Sequence, residues 1–314
     1  MKKYIVKRLL WLIPIFLGIT FLSFAVMRLA GGDVVQQMAE NSGITLSEET
    51  LEAQREALGL DQPFLVQYLT WLGGFVTGNL GKSYVSGQEV FPAFLSRLPA
   101  TLLLAVTSVA LTVVISIPLG ILAAVRQNRA ADYLIRLVSF IGNSLPNFFV
   151  ALLLMYLLAV RFPVFPVIST GTGWKSLVLP ALTLAIAMSA KYLRQIRAAV
   201  LEELGKDYVT GARARGIPFF VTLRKSVLRS CLTTILTLLS LSIGSLLGGT
   251  AIVESVFMWD GVGKLAVDAI RMRDYPVIQA YVVWMAVIYV TVNLITDLSY
   301  RLLDPRIRLG GDAG

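Results

Sequence analysis

Asp207-Tyr-Val-Thr-Gly-Ala-Arg-Ala-Arg-Gly216 lies between two long apolar runs, and the reading of the whole chain turns on it. A polypeptide that only crossed a bilayer would not need such an insert. Asp207 is an acid able to cap a helix, the residues after it are helix-compatible, and Gly216 with Pro218 forms a stop signal. The pattern predicts a free-standing helix of roughly two turns. Its polar face carries Arg213 and Arg215, and the small residues Gly211, Ala212 and Ala214 leave room for another protein to approach. The insert therefore reads as a docking element on the cytoplasmic side, where a soluble motor pushes.

The surrounding composition is that of a membrane protein: 56% hydrophobic and 15% charged over 314 residues, with a mean hydropathy of +0.73. A soluble domain of this composition would expose too much apolar surface. The formal charge of +9 does not indicate nucleic acid, because the basic residues interrupt apolar stretches instead of forming a stripe with interleaved aromatics. With no histidine and one cysteine, Cys231, neither a disulfide framework nor a protein-built zinc site is expected. Cys231 reads as a small buried hydrophobe.

A spanning helix needs about 20 mostly apolar residues. Six segments qualify: roughly residues 9–30, 98–125, 134–160, 177–195, 231–253 and 279–300. Lys2, Lys3, Lys7 and Arg8 precede the first, whose apolar run is longer than that of a signal peptide, so it is expected to be a retained anchor. If the N-terminus is inside, 19 of the 28 basic residues fall in cytoplasmic segments, nine of them between Lys191 and Arg229. The exterior segment at about 31–97 carries eight acids from Asp33 to Glu89. Both termini are thus expected in the cytoplasm. The layout expected is an anchor helix (1–30), an extracytoplasmic cap (31–97), and a five-helix core (98–314) carrying the 207–216 insert. Within the cap, Ser47-Glu-Glu-Thr-Leu-Glu52 reads as a helix start and Gly59 as its stop, and the amphipathic 64–75 segment is suited to lie on the membrane or pack on the spans.

Two places within the spans are candidates for a translocation path. Ser240, Gly244 and Gly248 recur at i, i+4 and i+8, placing small residues on one helix face; close helix packing is the competing reading. Asn143-Ser-Leu-Pro146-Asn147 combines a proline break with two carboxamides, and broken helices at membrane depth are tolerated where they are protein-buried or line a water-filled path. Its competing reading is a structural kink. Pro118-Leu-Gly120 is a weaker case of the same kind. Gly81-Lys82-Ser83 resembles the end of a phosphate-binding loop, but Val76 stands where that loop requires a glycine, so a turn is expected. Mid-span acids of the kind that drive proton-coupled transport are nearly absent, and the parts of an intramembrane hydrolase are missing. Energy must be supplied from elsewhere.

Taken together and in order, several segments resemble the permease subunit of bacterial ABC importers of the dipeptide, oligopeptide and nickel group. They are Leu58-Gly-Leu-Asp-Gln-Pro63 with Gln67-Tyr68, Leu98-Pro-Ala-Thr101, Asp207-Tyr-Val with Ala212-Arg-Ala-Arg-Gly216, Gly248-Gly249, Glu254-Ser-Val-Phe257, Asp274-Tyr-Pro-Val-Ile-Gln279 and Asp304-Pro-Arg306. The resemblance implies an all-α membrane protein with the six-helix type I permease fold and an extracytoplasmic insertion after the first helix. It implies that Asp207, Tyr208, Ala212, Arg213, Arg215 and Gly216 form a coupling helix seated in a cleft of an ATPase. It also implies a second homologous permease subunit, two ATP-binding subunits and an extracytoplasmic solute-binding protein. ATP and Mg would be used by the ATPases, with no cofactor or metal on this chain and no catalytic residue. The expected function is half of the path of an ATP-driven importer for short peptides or a nickel or other metal chelate, in the bacterial inner membrane. The alternative is a secondary transporter or channel acting without an ATPase.

Overall fold

The computed structural model describes residues 2–30, 35–36, 39, 43 and 47–303; within these, the side chains at 2–9, 11–12, 30, 233, 236, 239–245, 247–249 and 296–303 are not described. Among the described residues the chain is helical, with a single isolated antiparallel bridge, Lys82 to Glu89. In order, the helices are α1 (Lys2–Ala30), α2 (Glu48–Ala57), α3 (Phe64–Thr77), α4 (Val90–Val125), α5 (Ala130–Ser144) and α6 (Asn147–Met155), which runs on as a π-helical turn to Arg161. They continue with α7 (Trp174–Leu204), α8 (Asp207–Ala214), α9 (Phe219–Thr222), α10 (Leu228–Phe257), α11 (Val262–Met272) and α12 (Tyr275–Leu303). Five of the six expected spans coincide with continuous helix. Three described stretches are long and apolar enough to cross a bilayer: Val90–Val125, Trp174–Leu204 and Tyr275–Ile295.

The exception is the expected span at 134–160, which is not one kinked helix. Its halves, α5 and α6 with the π-turn, meet at 103°. Pro146 explains the break, because a residue before proline is driven out of the α region. Leu145 adopts φ −85°, ψ 131°, and α6 starts afresh with Pro146 as its N-cap.

The chain divides into two compact units. The first comprises residues 1–101 and 260–290. Here α2 has the ends its sequence predicts: Ser47 Oγ accepts from Thr50 N at 3.4 Å, and Gly59 (φ 64°) lets Leu60 N reach Arg55 O at 2.9 Å. The amphipathic α3 packs on α1, with the rings of Phe64, Tyr68 and Trp71 within 5.8 Å of Phe24 and the Tyr68 hydroxyl 3.0 Å from Thr20 Oγ1. The rings of Phe75, Phe91 and Phe94 gather around Trp284 of α12 at 5.7–6.0 Å. Gly81-Lys82-Ser83 leads into a turn and is not itself one: Lys82 pairs with Glu89 in the antiparallel bridge, and the turn falls at residues 84–86. Ser83 Oγ donates to Asp274 Oδ2 at 2.5 Å and Tyr84 N to Asp274 Oδ1 at 3.0 Å.

The second unit comprises residues 102–259 and 291–314. Its core gathers Ala124, Tyr192, Ile196, Val200, Val209, Leu223, Val227, Cys231 and Ile235; Cys231 is buried, as expected of a small hydrophobe. Gly120 permits a close approach of α4 to α7. A Cβ there would lie 2.8 Å from Ile196 Cγ2 and 3.1 Å from the Leu193 carbonyl oxygen. Close packing therefore accounts for Gly120.

Candidate functional site

The insert folds locally as a helix, with one change at its start. Asp207 is the first residue of α8, not its cap; Lys206 occupies the N-cap in an extended conformation (φ −76°, ψ 150°) without a side-chain capping bond. Asp207 still favours the helix by placing an acid in its first turn. At the other end Gly216 takes φ 74°, Gly216 N bonds to Arg213 O at 2.9 Å and Ile217 N to Ala212 O at 3.1 Å. These two bonds and the left-handed glycine complete a Schellman motif, which satisfies carbonyls that the helix end would otherwise leave open.

Two faces of α8 separate clearly. Val209 and Ala212 are buried within the chain, Val209 against Ile196, Val200 and Val227. Asp207, Tyr208, Thr210, Arg213, Ala214, Arg215 and Gly216 are exposed. Ala212 was expected to make room for another protein; instead its methyl group is covered by its own chain, because α8 lies flat on the second unit's core. Gly211 is half-buried, with Arg215 Nη1 3.6 Å from where its Cβ would stand. On the outer face Ala214 remains the small exposed residue. Just beyond it, Ile217 and Phe220 are also exposed, Phe220 by 78%.

Three further contacts fix α8 and its flanks against their neighbours. The Tyr208 hydroxyl donates to Glu203 Oε2 at 2.9 Å, and Lys206 Nζ donates to Glu203 Oε1. Partial burial and the Glu203 carboxylate together push the Tyr208 hydroxyl up to about 12, so at neutral pH it stays a donor. The Arg213 guanidinium lies 5.8 Å from the centre of the Phe219 ring, holding the loop after α8 against its last turn. Glu203 was not singled out from sequence; its signal was an acid four residues ahead of Asp207, at the end of the preceding span.

The α5–α6 break opens on a half-open cavity of about 250 Å³, whose lining includes Gly142, Asn143, Leu145, Asn147, Met188 and Lys191. Of the four candidates there, Asn143 and Asn147 line the cavity. Ser144 turns its hydroxyl back to Phe140 O at 2.9 Å, and Pro146 caps α6. Leu246 of α10 borders the same space. Ser240, Gly244 and Gly248 fall within α10, but their side chains lie outside the described residues. Lys191, counted in the sequence only as a cytoplasmic charge, is the cation of this cavity. The signal available was a lysine interrupting the otherwise apolar run of α7. A second cavity, of about 650 Å³ in the first unit, has Arg28, Gln67, Trp71, Lys82 and Tyr275 in its lining.

Comparison with known proteins matches this architecture along nearly the whole chain. Residues 116–309 match the family described as binding-protein-dependent transport system inner membrane component, and residues 1–105 match the N-terminal region of such components. The oligopeptide transport system permease protein AppB of Bacillus subtilis (strain 168) is 42% identical, with 98% of this chain and 99% of the relative covered. The glutathione transport system permease protein GsiC of Escherichia coli (strain K12) is 36% identical, covering 98% and 99%. Among solved structures, the inward-facing MetNI methionine ABC transporter aligns with a TM-score of 0.57 at 17% identity, over 68% of this chain and 96% of that one. That likeness concerns the fold. The chain belongs to the binding-protein-dependent transport system inner membrane components, as a permease subunit of an ATP-driven importer.

Proposed function

We propose that this permease carries short peptides inward and moves through α8, which an ATPase subunit drives. The observation that carries the reading is the two-faced α8: Val209 and Ala212 anchor it to the core of the second unit, while Thr210, Arg213, Ala214 and Arg215 stay exposed. A force applied to the outer face passes into the core directly, without a flexible linker. Asp207, Tyr208, Arg213, Arg215 and Gly216 form the coupling surface or hold its shape, and Ala212 acts beneath it as an anchor.

The substrate class follows from relatives named for oligopeptides and glutathione; the nickel alternative lacks comparable support. Asn143 and Asn147 border the path, with Ser240, Gly244 and Gly248 on the neighbouring helix. Two ATP-binding subunits, a second homologous permease and an extracytoplasmic binding protein complete the importer. ATP and Mg are used by the ATPases, and this chain is non-catalytic. It sits in the inner membrane with both termini cytoplasmic and the 31–97 segment outside, in keeping with the distribution of basic residues.

Reconstitution into vesicles tests the proposal. Uptake of a labelled tripeptide is expected to require ATP together with the ATPases and binding protein, and to stop when any of them is left out. Uptake driven by a proton gradient through this chain alone would contradict it.

A further inference from the structure

The cavity at the α5–α6 break holds a cation that the fold does not neutralise. Lys191 lies in α7, six residues and therefore about 9 Å along the helix before Arg197. Arg197 is paired with Asp132. Lys191 has no such partner among the described residues, where its one contact is with the Tyr192 ring at 5.8 Å. Lys191 is exposed where it lines the cavity, so its ammonium is reachable by an anion that enters there, and a hydrogen bond between two charged groups is stronger than one between neutral groups.

The rest of the lining suits that anion. Asn143 and Asn147 bring carboxamide N–H donors to the cavity that Lys191 lines, and Leu184, Met188 and Leu246 supply apolar walls that strengthen a charged hydrogen bond relative to water. The convergence of these elements is built into the sequence. A Cβ on Gly142 would stand 3.2 Å from the Ala190 Cβ, and Ser139 Oγ donates to the Ala190 carbonyl oxygen at 2.5 Å. Helices α5 and α7 are thus held together one residue from both Asn143 and Lys191. The volume, about 250 Å³, is below that of a pocket enclosing a drug-sized molecule. It accommodates a terminal group and leaves the rest of the solute outside.

We infer that Lys191, with Asn143 and Asn147, forms a subsite for the carboxylate terminus of the transported peptide, a group that every unblocked peptide carries whatever its side chains. The inference rests on the peptide-importer reading above. Such a subsite would let one path serve many sequences, since it reads only the end they share.

The test uses the assembled importer in neutral-lipid nanodiscs, without nucleotide or binding protein, and measures equilibrium binding of Ala-Ala-Ala and of its C-terminal amide. The acid is expected to bind about tenfold more tightly than the amide, a difference typical of one charge-assisted hydrogen-bonded contact. Lys191→Gln should bring the acid down to the level of the amide and leave the amide unchanged, while Lys191→Arg keeps most of the difference. Equal binding of acid and amide to the native importer, an equal loss of both in Lys191→Gln, or no detectable binding of the acid would each overturn the subsite. ATP-dependent uptake by the same preparation is measured in parallel. Uptake with a flat acid–amide comparison removes the subsite alone, whereas absence of ATP-dependent uptake removes the importer reading on which it stands.

Discussion

Arg197 of α7 grips Asp132 of α5 with two hydrogen bonds, Nε to Oδ1 at 2.7 Å and Nη2 to Oδ2 at 2.8 Å. Asp132 is fully buried and also accepts from Asn128 N at 2.9 Å, so a single carboxylate ties the loop before α5 to the neighbouring long helix. Removing one member of such a pair leaves the other charge buried and uncompensated. Asp132→Asn is therefore expected to destabilise the protein by about 3 kcal/mol, read as a lower thermal unfolding midpoint in detergent. The double variant Asp132→Asn/Arg197→Met should recover part of that loss. If the single variant melts with the native protein, the pair does not hold α5 to α7.

Gly120→Ala is expected to lower stability by about 1–3 kcal/mol, the usual cost of overpacking, because its Cβ would meet both Ile196 and the α7 backbone. Gly18→Ala, where nothing lies within 4 Å, should be neutral or slightly stabilising. Thermal unfolding of the two variants side by side checks the contrast, and equal midpoints would refute the close approach at Gly120.

Ala212→Asp is expected to reduce the amount of folded protein in the membrane, since it puts a carboxylate against Val209 and the core of the second unit. Quantitative immunoblotting of membranes with detergent melting reads this. A variant that accumulates and melts normally would mean that Ala212 is not covered by its own chain.

For orientation, a cysteine placed at Glu49 is expected to react with an impermeant maleimide added to intact cells, and one placed at Thr210 only after the cells are opened. Both positions are exposed, and the native Cys231 is buried. The reverse pattern would contradict the cytoplasmic placement of α8.

Much of this architecture was legible in the chain because its signals are local. Ser47 and Gly59 bound α2, Gly216 and Pro218 stop α8, and Pro146 breaks the third apolar segment, each through backbone preferences of a few adjacent residues. The size of that break was not legible, because a proline states only that Leu145 leaves the α region and packing sets the angle. Nor was the side of α8 on which Ala212 falls. Eight residues of mixed character give a weak amphipathic period, and the burial of Ala212 depends on Ile196, Val200 and Val227, which are distant in sequence. Lys191 was masked in another way. Its charge served the topology argument well enough, and only the packing of α5 against α7 brings it to the cavity with Asn143.

Coupling through the outer face of α8 is tested most directly by Ala214→Trp, because Ala214 is exposed and a large side chain there leaves the chain's own packing intact. The measurement is ATP-dependent tripeptide uptake together with copurification of the ATPase subunits from the same membranes. Normal amounts of inserted, normally melting protein are expected, with uptake reduced at least tenfold through loss of the ATPases or of substrate-stimulated hydrolysis. Native uptake with native ATPase retention in Ala214→Trp would show that no partner seats on this face, and α8 would then be a surface helix without a part in transport.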